Sequence, residues 1–146
     1  MTINFYYDRA ENVVLSQAYG QIASRDFLAF CDRLEEEKPA IGFRSFSDYR
    51  RADVSGLNRE DVERIKSRRN EVAVNLGGKN RLALIVSGPL SFGLGRMFEQ
   101  TQGIEELNIS VFHSHEEALA WLELTAEKLE EIAVKAGFNL NLTIPS

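Results

Sequence analysis

Arg81-Leu82-Ala83-Leu84-Ile85-Val86-Ser87-Gly88-Pro89 is the stretch on which the fold turns. Its apolar run, Leu82 to Val86, is far short of the ~20 residues a membrane helix needs, and it stops at a Gly-Pro turn. A strand with one wet face alternates apolar and polar residues. An unbroken apolar run marks a strand covered on both faces, as in parallel sheets between helical layers. The flanking segments should therefore alternate helix with strand.

They do, in both directions. Upstream, Asn58 can cap a helix with Glu60 and Asp61 in its first turn, where the helix dipole favours acids. Val62, Ile65, Val72 and Leu76 give that helix a core stripe, and Gly77-Gly78 ends it. Phe43 to Tyr49 reads as a strand. Ser24 is placed to cap a helix over Arg25 to Lys38, with Phe27, Leu28, Cys31 and Leu34 on one face. Ile3, Phe5 and Tyr7, then Val13, Leu15, Gln17 and Tyr19, alternate as two strands joined by a short polar turn, a hairpin. Downstream come a short helix over Phe92 to Gln102, a strand over Leu107 to Phe112, and one long helix over His115 to Ala136. Ser114 and Glu117 form a capping-box pattern at its start. Phe138, Leu140, Leu142 and Ile144 alternate with Asn139, Asn141 and Thr143, a further strand pattern.

The expected architecture is thus a single layered α/β domain in the order β-β-α-β-α-β-α-β-α. It has a mixed, mostly parallel sheet of about five strands, four helices and a C-terminal extra strand. Residues 1–137 form the domain; residues 138–146 form a tail that adds to its own sheet or exchanges with a second subunit. An exposed strand edge needs such cover, so a homodimer is expected.

Composition narrows the role. The 146 residues are 44% apolar and 27% charged, ordinary for one globular domain. Seventeen basic against 22 acidic residues leave a net charge of −5, unfavourable for binding nucleic acid. The single Cys31 excludes an internal disulfide, and no secretion signal or membrane span is evident, so the expected location is the cytoplasm.

The order and several motifs resemble the STAS fold of bacterial anti-sigma factor antagonists. They are more closely similar to the bacterial STAS-like family grouped with CRAL-TRIO-type lipid-transfer domains. Asp53-Val54-Ser55-Gly56-Leu57 resembles the Asp-x-Ser-Gly-Leu stretch that follows the third strand there. Gly93-Leu94-Gly95-Arg96-Met97-Phe98-Glu99 is similar to the Gly-Leu-x-Arg-Met-aromatic-Glu run of the closer family. Val111-Phe112 with Glu116 to Leu122 resembles its closing signature. The likeness covers residues 1 to about 122, leaving 24 residues beyond it.

The resemblance implies a non-enzymatic regulatory or protein-interaction module, with Ser55 as a phosphorylation candidate and Asp53, Gly56 and Arg96 as contacts. Arg50, Arg51 and Arg59 are near Ser55 in sequence and could receive a phosphate. Its CRAL-TRIO side implies the alternative of a carrier for a small apolar ligand or lipid, held near Phe92, Met97, Phe98 and Trp121.

No other pattern points to chemistry. Gly93-Leu94-Gly95-Arg96 lacks the third glycine of a dinucleotide motif, because residue 98 is Phe; it is placed between strand and helix as a turn that lets the helix pack close to the sheet. His113 and His115 are too few for a metal site and sit at a surface junction. Arg64, Lys66, Arg68 and Arg69 read as a solvated helix face. Cys31 reads as a small buried hydrophobe, without a catalytic partner. No cofactor, metal or catalytic residue is expected.

Overall fold

The computed structural model describes residues 3–99 and 105–142. Ten elements follow one another: β1 (Ile3–Asp8), β2 (Val13–Gln21), α1 (Ser24–Glu37), β3 (Arg44–Asp53), α2 (Arg59–Leu76), β4 (Asn80–Ile85), α3 (Pro89–Glu99), β5 (Leu107–Phe112), α4 (His115–Leu122) and α5 (Ala126–Ala136). The five strands form one sheet in the order β1-β2-β3-β4-β5. β1 pairs antiparallel with β2, and every later pair is parallel. The mixed, mostly parallel α/β sheet is as the sequence predicts.

Side-chain alternation assigns the two faces. Val14, Leu82, Leu107 and Ile109 pack with Cys31 and Leu34 of α1 and Val72 of α2. Val111 packs with Phe92 and Leu94 of α3 on the same face. Leu15, Phe46, Ala83 and Ile85 face the other way, onto Leu119 and Leu122 of α4 and Leu129 and Ile132 of α5. β4 is therefore buried on both faces, which is why its apolar run is unbroken.

Four local readings need correction. First, residues 115–136 are two helices. Glu123 takes a left-handed conformation (φ 58°) at the end of α4, and Thr125 caps α5 by accepting the Lys128 N–H at 3.1 Å. The break lets Leu129 and Ile132 turn back onto the same sheet face. Second, α1 is capped at Ala23, not Ser24. The Asp26 carboxylate accepts the Ala23 N–H at 2.8 Å, the half of a capping box that needs no side chain at the cap, and the Asp26 N–H donates to Ala23 O at 3.0 Å. Third, α3 starts at Pro89, so Gly93 to Arg96 lie inside the helix rather than in a turn before it. Fourth, β3 runs on to Asp53, which brings the Asp53–Leu57 stretch to the strand's end.

The glycine at position 95 has a packing reason. A Cβ there would lie 2.5 Å from Val111 Cγ2 and 3.5 Å from Leu84 Cδ2. The missing side chain lets α3 sit against β4 and β5, the close approach expected from the sequence. Gly95→Ala should cost about 1–3 kcal/mol from overpacking. Chemical denaturation would measure it, and adding Val111→Ala should recover most of the loss.

The tail's described part, residues 138–142, forms no strand. Leu140 and Leu142 are buried in the α4–α5 core. Asn139 O accepts from Gln17 Nε2 at 2.9 Å, and Leu140 O accepts from the Arg50 guanidinium. Ile144 and the end of the alternating pattern lie outside the described residues.

Candidate functional site

The loop between β3 and α2 carries Ser55. Val54 is buried and anchors it, and the Leu57 N–H closes a turn on Val54 O at 3.1 Å. Asn58 then caps α2: its side chain accepts the Asp61 N–H at 2.8 Å, and the Asp61 carboxylate accepts the Asn58 N–H at 3.0 Å. Between these fixed points Ser55 is exposed. Its hydroxyl donates to Asp53 Oδ1 at 2.6 Å and its N–H to the same oxygen at 3.0 Å. The Ser55 hydroxyl, then its N–H, hold the Asp53 carboxyl below its usual range. Gly56 has an ordinary backbone, and a Cβ there would touch only Gln21 Nε2 at 3.7 Å.

Of the three arginines near Ser55 in sequence, Arg50 is committed elsewhere. It donates to Asp48 Oδ1 from Nε at 2.9 Å and to Oδ2 at 3.1 Å, on the tail side of the sheet. Arg51 lies over the Tyr19 ring, 6.0 Å from its centre. Arg59 is exposed on the first turn of α2.

A second feature lies between the sheet and helices α1, α2 and α3. A cavity of about 60 Å³ is walled by Phe27, Phe30, Tyr49, Ile65 and Phe98, with Ser47 on its floor. A smaller space of about 20 Å³ adjoins it and shares Phe27, Tyr49 and Phe98. The floor is low because small polar residues replace bulk there: Ser16 donates to Ser47 at 3.0 Å, and both are buried. Cys31 is in the wall, and burial pushes its thiol up to about 11, so it stays protonated and is no nucleophile. Burial likewise pushes the Tyr49 hydroxyl above its usual range.

Arg69 also lines this cavity. It is not on a solvated face, as its charge suggests, but 8% exposed. It continues the Ile65–Val72 stripe, one turn beyond Ile65, and that spacing was the available signal. Nη1 donates to Phe98 O at 3.0 Å; Nε and Nη2 donate to Asn70 Oδ1 at 3.3 and 3.0 Å. Burial lowers its pKa to about 10, which still leaves it a cation at neutral pH. Its neighbour Arg68 behaves as expected of a surface residue, bridging α2 to Asp32 and Glu35 of α1 at 2.9 Å each.

The remaining candidates are scattered. Arg96 is exposed and pairs with Glu99 at 3.3 Å. Phe92 stacks on His113 with ring centres 4.1 Å apart. Met97 packs with Val62, Ile65 and Phe98. Trp121 is on the opposite sheet face, beside Phe112 and beneath Arg81, so it shares no pocket with Phe98. His115 is buried rather than at the surface, with Nε2 3.1 Å from Glu116 Oε1. Among the described residues no group of three or more His, Cys, Asp or Glu side chains could hold a metal ion. Among them, too, no helix is long and apolar enough to cross a membrane.

No protein-family model matches the chain, and no curated protein matches it. Among solved structures, it is similar to an uncharacterized protein of the DUF3478 family from Shewanella loihica, described as having a SpoIIAA-like fold. The match covers 83% of this chain and 94% of that one at 20% identity, with a TM-score of 0.53. The fold is SpoIIAA-like. That is the STAS-like architecture of anti-sigma factor antagonists, as the sequence resemblance implied. In this SpoIIAA-like fold, Ser55 stands at the carboxyl end of the central strand, on the loop that enters α2.

Proposed function

We propose that this chain is a non-enzymatic regulatory module of STAS type that binds a protein partner through the β3–α2 loop, with Ser55 as its phosphorylation switch. The observation that carries this reading is the Ser55 hydroxyl, exposed and bonded to Asp53 at 2.6 Å. Phosphate adds about −1.5 to −2 charge and removes the donor. It would set that charge directly against the Asp53 carboxylate, so the loop must rearrange. Exposed Arg59 on the first turn of α2 offers an opposite charge for the new position. Asp53, Ser55 and Gly56 form the contact surface in this reading. The acidic net charge of −5 agrees with a protein partner rather than nucleic acid, and this reading places the chain in the cytoplasm.

The test is phosphosite mapping on protein from its native cells, paired with capture of partners on immobilised full-length chain. Ser55→Asp should reduce capture by about tenfold, or about 1.4 kcal/mol, while Ser55→Ala retains it. A Ser55 never phosphorylated under any growth condition would refute the switch. Equal capture by both variants would refute the surface.

The cavity favours a second reading, a binding protein for a small apolar molecule. Its wall is largely aromatic and aliphatic, and Phe98 belongs to it. Its size suits a compact ligand better than a long acyl chain, since drug-sized ligands occupy ~300 Å³ or more.

A further inference from the structure

We propose that the cavity between the sheet and α1–α3 binds a small hydrophobic carboxylic acid, whose carboxylate pairs with Arg69. This rests on the ligand-binding reading above and adds the charge of the ligand to it. Three observations meet at one place.

The first is the uncompensated cation. Arginine is almost never buried without a partner of opposite charge, because desolvating a cation costs several kcal/mol. Arg69 is 8% exposed, yet its hydrogen-bond acceptors are a main-chain carbonyl and an amide oxygen. Among the described residues no carboxylate pairs with it. Arg68, one residue away and more exposed, has three: Asp32, Glu35 and Glu71. Three of the five guanidinium N–H groups are used, which leaves two. A planar carboxylate is the anion whose geometry two guanidinium N–H groups match best.

The second is the cavity that Arg69 lines. Phe27, Phe30, Ile65 and Phe98 surround it with apolar surface suited to the body of the acid rather than to a free inorganic anion. The third is the polar floor. Ser47 lies on the wall where strands β2 and β3 would otherwise present bulk. A second carboxylate oxygen could take up its hydroxyl. The space, about 60 Å³ with about 20 Å³ adjoining, limits the ligand to a short aliphatic acid, since a single benzene ring takes a cavity of ~150 Å³.

The experiment is titration of the full chain with propionate, butyrate, isobutyrate and isovalerate, each beside its neutral primary amide, followed by NMR of the Phe, Ile and Leu side chains. At least one acid should bind with shifts confined to α1, α2, α3 and the facing sheet, and at least tenfold tighter than its amide. Arg69→Met should abolish that preference, and Arg69→Lys should keep part of it. Ile65→Phe, which fills the space without touching the charge, should block binding and controls for a misfolded Arg69 variant. An acid and its amide binding equally would overturn the carboxylate assignment and leave the apolar-ligand reading standing. Absence of binding by every acid and every amide would overturn both.

Discussion

Replacing Asn80 should destabilise the domain by about 3 kcal/mol or more, because each buried polar group left unpaired costs about 1–3 kcal/mol. Asn80 opens β4 and is buried. Its Oδ1 accepts the Gly42 N–H at 2.7 Å and the Phe43 N–H at 3.2 Å. Its Nδ2 donates to Gly77 O at 3.0 Å and to Glu106 O at 2.8 Å. One side chain thus joins the entry to β3, the end of α2 and the entry to β5. Asn80→Ala takes the side-chain partner from the Gly42 and Phe43 N–H groups and from Gly77 O, while Glu106 O keeps the main-chain N–H of residue 80 at 3.0 Å. Asn80→Asp keeps the shape but points a carboxylate oxygen at two carbonyls, and should be at least as harmful at neutral pH. The introduced carboxyl would have a raised folded-state pKa, because burial and the two carbonyls oppose its charge. Its contribution is present while it is protonated and lost as pH rises, so the aspartate variant should recover towards pH 4, about the unperturbed carboxyl value. Urea unfolding at two pH values reads both effects. A loss under 1 kcal/mol for either variant at pH 7 would show that water replaces the amide.

The second large effect is expected at Asp48. This carboxylate is 3% exposed and Arg50 is 13% exposed. Besides the two guanidinium bonds, Asp48 accepts the Arg50 N–H at 3.2 Å and Gln17 Nε2 at 3.3 Å. Gln17 in turn accepts from the Tyr19 hydroxyl at 2.5 Å. Asp48→Ala removes the carboxylate that accepts the Arg50 Nε, Nη2 and main-chain N–H groups, a change that costs about 3–5 kcal/mol in buried pairs. Gln17 and Arg50 also hold the main chain of Asn139 and Leu140, so the tail should loosen first. Hydrogen exchange at residues 138–142 would show this before global unfolding. The double variant Asp48→Leu with Arg50→Met should be more stable than Asp48→Ala alone, since apolar replacement removes both members of the pair together. A double variant less stable than the single one would place the cost in shape rather than in charge.

How far the fold could be read follows from where side-chain period and backbone agree. β1, β2, β4 and β5 were legible because their alternation, or its absence in β4, reports the same burial that the sheet imposes. The Asn58 cap was legible because Asp61 stands three residues on, so both halves of the box are local. The break at Glu123 was not, because neither Gly nor Pro marks it and Glu123 itself adopts the left-handed turn. Gly93 and Gly95 argued for a loop by residue type, yet Gly95 answers to Val111, a residue 16 positions away in the chain. Arg69 was hidden by its charge: four basic residues in six positions suggest a wet face, although the helical period puts one of them inside. His115 was misplaced for the same reason, since a polar residue at a helix start can still turn inward.

The Phe92–His113 stack has a consequence that its small size conceals. In open α/β sheets, ligands enter beyond the carboxyl ends of strands where adjacent connections leave towards opposite faces. Here the strand order never reverses, and α1, α2 and α3 all cover one side. The connections part only between β4, which leads to α3, and β5, which leads to α4 on the far side. Phe92 and His113 lie face to face beside that divergence, 4.1 Å between centres. The customary doorway of the architecture is therefore where two of the chain's own rings stack on each other, and the two proposed sites, the loop at Ser55 and the interior beside Arg69, both lie away from it.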